Sequence, residues 1–266
     1  MKKCLLLVFG LIAGFVFVTS CVVQIVDPTR ASAVRMGTDF HEAVPLVSGG
    51  TLSLDNIDGD IQIMGWEKEE VEVFAERLMR RSYNRGFRWQ PLLSSVPKID
   101  VDTFEDFVKV KTMSLNQEED ASLVNYYLNV PQHVGLKDIV ARKGEISISD
   151  LYGEVSIELT EGKVNVENCS GSLNVSLSKG SVKAGLLDLR SEDEIRISIQ
   201  DGDITVYLEA NINAWIEADT PEGQVVSDFK QLREQPSRKV SAQLGEDGCT
   251  IFLSSMKGDI KIRKLK

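Results

Sequence analysis

The sequence predicts an all-β fold, a β-solenoid or β-helix-like domain with about 18 residues per turn, behind an N-terminal targeting segment. Three observations predict it. Gly144, Gly153, Gly162, Gly171 and Gly180 stand nine residues apart. Apolar residues follow each of them at the second and fourth positions. The chain also opens with two lysines, an apolar run and a cysteine at position 21.

The start of the chain comes first. Lys2 and Lys3 form a basic n-region, and Cys4 to Val18 is an apolar h-region of signal-peptide size. Val18-Thr19-Ser20-Cys21 resembles the lipobox of bacterial lipoproteins. There an aliphatic residue and two small ones precede the cysteine whose thiol takes the lipid. The resemblance implies a signal peptide over 1–20, lipidation at Cys21 and membrane attachment through that lipid. Residues 21–44 then read as a tether and 45–266 as the folded domain. The competing reading is an uncleaved anchor, because Leu5–Val26 is uncharged and long enough to span a bilayer. Both readings keep the lysines in the cytoplasm and the domain outside it. An Asp after the lipidated cysteine would imply inner-membrane retention. Val22 and Val23 follow here, which points to the outer membrane of a two-membrane cell.

Charge narrows the partners. The formal charge is −10, and without Lys2 and Lys3 there are 28 basic against 40 acidic residues, or −12. Nucleic acid needs a basic face, so it is not an expected partner. Nor is a surface lying flat on anionic lipid. Cys169 and Cys249 would lie in an oxidising compartment, where they pair or remain two buried thiols.

The repeat is the most informative stretch. Ile146 and Ile148, Val155 and Ile157, Val164 and Val166, Leu173 and Val175, and Val182 and Ala184 follow the five glycines. Alternation with period two marks a strand with one face buried. The next apolar residue falls at Leu151 and Cys169 after alternate glycines, but at Leu159 and Leu177 after the others. Two kinds of strand therefore alternate, which doubles the period to eighteen. Like strands would stack at about 4.8 Å with Ile, Val and Leu inside.

The same grammar flanks the ladder at Asp58-Gly59-Asp60-Ile61, Asp201-Gly202-Asp203-Ile204 and Lys257-Gly258-Asp259-Ile260. Phe74 to Arg81 reads as one short helix or a continued strand. Ser82 to Pro97 reads as an insert loop carrying Phe87, Arg88 and Trp89. Ile99 to Val110 reads as a hairpin, followed by a strand from Leu123 to Val130. Residues 226–247 read as a polar excursion.

Asn56-Ile-Asp-Gly59-Asp-Ile61-Gln-Ile63-Met-Gly65-Trp66, Tyr127-Leu-Asn-Val130-Pro131, the glycine ladder and Asp201-Gly-Asp-Ile204 resemble the putative-adhesin family of bacterial proteins, a domain of unknown function. The resemblance runs over roughly 45–265. It implies a single-stranded, right-handed solenoid and supplies no catalytic residues.

The residues suggest no enzyme. His41 and His133 are the two histidines, and neither has a Cys or His at metal-ligand spacing. No nucleophile elbow or phosphate loop occurs. Asp58, Asp60, Asp201 and Asp203 could ligate calcium, but Asp-Gly is ordinary turn chemistry and the central repeats lack the Asp. No metal or cofactor is therefore expected. Trp66 and Trp215 read as packing residues, and Phe87, Arg88 and Trp89 as the binding candidates. The expectation is a non-enzymatic envelope lipoprotein, an adhesin or interaction module for an envelope protein or polysaccharide. The alternatives are a sensor lipoprotein of an envelope signalling system and a carbohydrate-binding or carbohydrate-active protein. The lysine-rich 257–266 segment reads as a charged edge that discourages end-to-end assembly.

Overall fold

The computed structural model describes residues 33–35, 39–80, 96–113, 122–232 and 237–265. Contacts divide the chain into Met1–Ala31 and Ser32–Lys266, and every described residue lies in the second unit.

The described residues form strands throughout, apart from turns and one short 3-10 segment at Lys230–Leu232. The strands are β1 (Ala33–Arg35), β2 (Phe40–Pro45), β3 (Thr51–Asp55), β4 (Ile61–Trp66), β5 (Glu70–Arg80), β6 (Lys98–Thr103), β7 (Phe107–Met113), β8 (Ser122–Pro131) and β9 (Gly135–Ser149). They continue as β10 (Val155–Cys169), β11 (Leu173–Leu186), β12 (Glu194–Leu208), β13 (Ala214–Asp219), β14 (Val225–Ser227), β15 (Lys239–Leu244), β16 (Cys249–Lys257) and β17 (Ile260–Lys264). All of them belong to one hydrogen-bonded sheet.

β9 to β12 stack in parallel, and their register explains the repeat. Gly144 lies opposite Gly162, and Gly162 opposite Gly180, eighteen residues on each time. Gly180 then meets Gly202, a step of twenty-two, because the Leu187–Asp193 turn is longer. In β10 the buried residues are Val155, Ile157 and Leu159, then Val164 and Val166. The inward phase switches from odd to even numbers across Gly162, so the strand turns a corner there and continues in a second wall. Between β9 and β10 the register slips by one residue, and Asp138 takes a φ of 55° at that bulge.

Residues distant in sequence complete both walls. β3 and β4 lie beside β9, with Ile61 opposite Ile146. On the other side β16 and β17 lie beside β12, with Ile251 opposite Ile195 and Ile260 opposite Ile204. Aliphatic columns result, such as Ile61, Ile146, Val164, Val182, Ile204 and Ile260, all buried. Burying such side chains stabilises each by about 1.5–3 kcal/mol. The ends change hand. Antiparallel β6 and β7 extend from β3, β8 and antiparallel β5 extend from β4, and β15 runs antiparallel on β13.

Three expectations change. The sequence places the tether up to Val44, but β1 and β2 pair with β5, so the sheet begins before position 45. Phe40-His-Glu-Ala-Val44 hides this, because its apolar residues do not alternate. The 226–247 excursion contains β15, whose Val240, Ala242 and Leu244 do alternate. The open choice at Phe74–Arg81 resolves as strand up to Arg80. Residues 82–95 of the insert and the signal and anchor segment lie outside the described residues.

Candidate functional site

The walls meet at two kinds of corner with different chemistry. At the first, Gly59, Gly144, Gly162, Gly180, Gly202 and Gly258 form a column. A Cβ on Gly162 would collide with the carbonyl oxygen of Gly144, and the same clash recurs from glycine to glycine along the column. Gly162 also has a φ of 150°. The corner thus excludes side chains by space and by conformation.

The residue before each of these glycines alternates in sign across the stack: Asp58, Lys143, Glu161, Lys179, Asp201, Lys257. Lys143 reaches Glu161 at 3.2 Å. The residue after the glycine ties neighbouring strands. The Glu145 N–H donates to the Asp60 carboxylate at 2.9 Å, the Asp259 N–H to Asp203 at 2.8 Å, and the Gln224 N–H to Asp259 at 3.0 Å. Asp58 is buried, and the Arg142 guanidinium holds it with two hydrogen bonds of 2.9 and 3.0 Å.

Beside it, the Asn56 amide donates to the Val124 carbonyl at 2.9 Å, and the Thr112 hydroxyl donates to the Asn56 oxygen at 3.0 Å. Its single proton committed, Thr112 accepts from the Tyr126 hydroxyl at 2.7 Å. Burial pushes Tyr126 up to about 12. These groups satisfy one another, which is what a structural lock requires. The Asp-Gly-Asp carboxylates therefore serve as braces between strands. Among the described residues, no group of three or more His, Cys, Asp or Glu is arranged to hold a metal ion.

The second corner is built from stacked turns. Thr51 N–H donates to Asp106 O at 2.8 Å, Gly49 N–H to His133 O at 3.0 Å and Tyr152 N–H to Gln132 O at 2.7 Å. The ladder continues with Ser170 N–H to Leu151 O and Leu187 N–H to Cys169 O, both at 3.0 Å. Val47, Phe104, Phe107, His133 and Tyr152 lie on neighbouring turns near one end of this edge. Phe104 is 61% exposed, Val47 50% and Tyr152 39%. Phe104 stacks on Phe107 at 5.9 Å, and His133 tilts against Tyr152 at 5.5 Å. The Trp66 backbone lies beside them, its carbonyl accepting the Gln132 N–H at 3.1 Å. The Trp66 indole N–H donates to Glu70 O at 2.8 Å, and the Lys68 ammonium sits 4.1 Å above its ring.

Further along the edge, Asp188, Glu209 and Asp247 share a cleft of about 360 Å³ with Leu189 and Ile212. On the inner side of the same turns lie Cys169 and Cys249. Both are buried free thiols, so they do not pair with each other. Burial pushes each up to about 11.

The sequence candidates are scattered. Cys21, Phe87, Arg88 and Trp89 lie outside the described residues. His41 bonds Glu72 at 3.1 Å on β2, far in register from the turn corner. The Asn129 amide and then His41 hold the Glu72 carboxyl below its usual range. Trp215, read as packing, stands 42% exposed on β13. His133 and Trp66 do reach the turn corner, where sequence reading saw only a loop residue and a core cap. Phe104, Phe107 and Tyr152 were missed. One signal was present: Tyr152 precedes Gly153, the glycine of the alternate corner.

A family model described as Toastrack DUF4097 matches residues 100–263. No curated protein matches the chain. Among solved structures, a putative cell adhesion protein from Clostridium sporogenes has a TM-score of 0.49 at 14% identity, covering 86% of this chain and 100% of that one. A putative adhesin from Bacteroides fragilis has 0.27 at 10% identity, covering 86% and 98%. A putative lipid binding protein from Parabacteroides distasonis has 0.22 at 8% identity, also covering 86% and 98%.

Proposed function

The chain belongs to the Toastrack DUF4097 family, and on that premise we propose that it is a non-enzymatic interaction module of the bacterial cell envelope. Residues 1–20 serve as a signal peptide, Cys21 carries the lipid, and the folded domain is presented outside the cytoplasm. In a two-membrane cell the anchor sits in the outer membrane. The domain acts as a right-handed solenoid, with about eighteen residues per turn at its centre, holding one edge towards an envelope protein or polysaccharide.

One observation carries this reading. Exposed aromatic and apolar side chains, Val47, Phe104, His133 and Tyr152, sit on four neighbouring turns of the turn corner. An exposed cluster rimmed by polar groups marks an interaction site more often than an isolated exposed residue does. Aromatic side chains are also enriched where partners bind.

The test is chemical crosslinking of the native lipoprotein in whole cells, followed by affinity capture. The reading expects a reproducible envelope protein or glycan. Capture of nothing beyond the chain itself overturns it.

A further inference from the structure

We propose that the turn corner docks a cationic, Arg- or Lys-bearing polypeptide segment of an envelope partner, a refinement that rests on the interaction reading above.

Charge and aromaticity coincide on this edge. The turn segments 66–70, 103–107, 131–135, 150–154, 187–194, 209–213 and 245–249 hold fourteen Asp and Glu against two cations, Lys68 and Arg190. The glycine corner differs. The residues on either side of Gly223 and the six column glycines give eight acidic against four basic, and those preceding the column glycines alternate in sign. The excess of negative charge therefore sits on the edge that also exposes Phe104 and Tyr152.

Ring faces attract cations, and carboxylates attract them at longer range. The Lys68 ammonium over Trp66 at 4.1 Å shows this combination operating within the chain, because Lys68 also reaches the Glu70 carboxylate at 3.2 Å. A chain of basic residues laid along the edge would meet rings at Phe104 and Tyr152. It would then meet the cleft formed by Asp188, Glu209 and Asp247. Arginine suits this surface better than lysine, because its planar guanidinium stacks on rings and pairs with carboxylates together. A neutral glycan would use the rings but not the carboxylates. A zwitterionic bilayer would use the apolar side chains but gain nothing from the carboxylates, whose desolvation against it is costly.

The experiment is a titration of labelled deca-arginine with the full-length protein in detergent, read by fluorescence anisotropy. Binding should weaken as salt is raised, and deca-lysine should bind less tightly. Phe104→Ala and Tyr152→Ala should each weaken it about two- to fivefold. Glu161→Gln with Asp201→Asn, at the glycine corner, should leave it within about twofold.

Equal loss in that glycine-corner variant would reduce the effect to net charge and overturn the proposal. So would absence of binding to deca-arginine. If a neutral glucan oligomer or phosphatidylcholine vesicles bind in a Tyr152-dependent manner while deca-arginine does not, the cationic occupant is wrong and the corner remains an interaction surface. If none of the three probes binds, the proposal falls, and the whole-cell capture decides separately on the interaction reading.

Discussion

The two corners of this domain are made by the same strands, yet they obey different rules. At the glycine corner each strand rests on the backbone of the one before it, and a single methyl group has no room. At the turn corner the chain leaves the sheet for a few residues, and the outward side chains, such as Phe104 and Tyr152, are less constrained by packing. The first corner fixes register through sterics, alternating charge and aspartate braces. The second is free to carry recognition chemistry, as loops on rigid scaffolds commonly are. A regular fold can thus be strict along one edge and permissive along another.

Substitutions break this comparison most sharply at the glycine column. Gly162→Ala should cost about 3 kcal/mol or more in urea unfolding, since it combines a clash with a strained φ. Tyr152→Ala on the turn corner should cost less, about 1.5 kcal/mol at most, mainly the lost ring contact with His133. Equal costs would erase the distinction.

The next effect is at Asp58. Removing its carboxylate leaves Arg142 without the partner that holds it twice. Asp58→Ala should cost about 2–4 kcal/mol, the low side of a buried pair, because Arg142 is 29% exposed. Asp247→Ala, at the turn corner, should change stability by less than about 0.5 kcal/mol. Chemical denaturation of both variants checks the contrast.

The inner lining of the turn corner can be probed with pH. Cys169 and Cys249 are raised from 9.0 to about 11 by burial, so the folded state favours the neutral thiol. Their contribution is fully present below pH 9 and is lost as pH rises through 11, by on the order of 2–3 kcal/mol per thiol at the limit. Denaturation curves from pH 8 to 11 should show this fall, and a Cys169→Ala, Cys249→Ala double variant should fall less steeply.

The smallest effect concerns the charge ladder. Lys179→Glu sets three negative charges in a row, between Glu161 and Asp201. A cost of about 0.5–1 kcal/mol is expected, shrinking at high salt. No salt dependence would show that the alternation contributes nothing to register.

Much of the walls was legible in the sequence, and for a local reason. Strands β9 to β11 follow one another directly, so Gly144, Gly162 and Gly180 write the register into sequence spacing. The same spacing says nothing about Gly59 or Gly258, which join the column only through folding. The aspartate braces were hidden because Asp-Gly-Asp reads first as turn chemistry, and a brace between strands needs the same residues. The turn corner was the least legible. Phe104 and Tyr152 lie far apart in sequence, each looking like a single exposed aromatic. Their placement on one edge depends on the hydrogen bonds that stack the Asp106, Gly49 and Gln132 turns. Strand β15 was missed for a different reason, since its alternation is short and flanked by polar residues.

The most direct test of the division between the corners is a site-resolved crosslinking scan in living cells. A photoreactive side chain would replace Phe104 or Tyr152 on the turn corner, and Lys179 or Thr205 on the glycine side. The account predicts adducts from the first pair and none from the second. Adducts from Lys179 with silence at Tyr152 would contradict it, and would move recognition to the corner that these interactions reserve for structure.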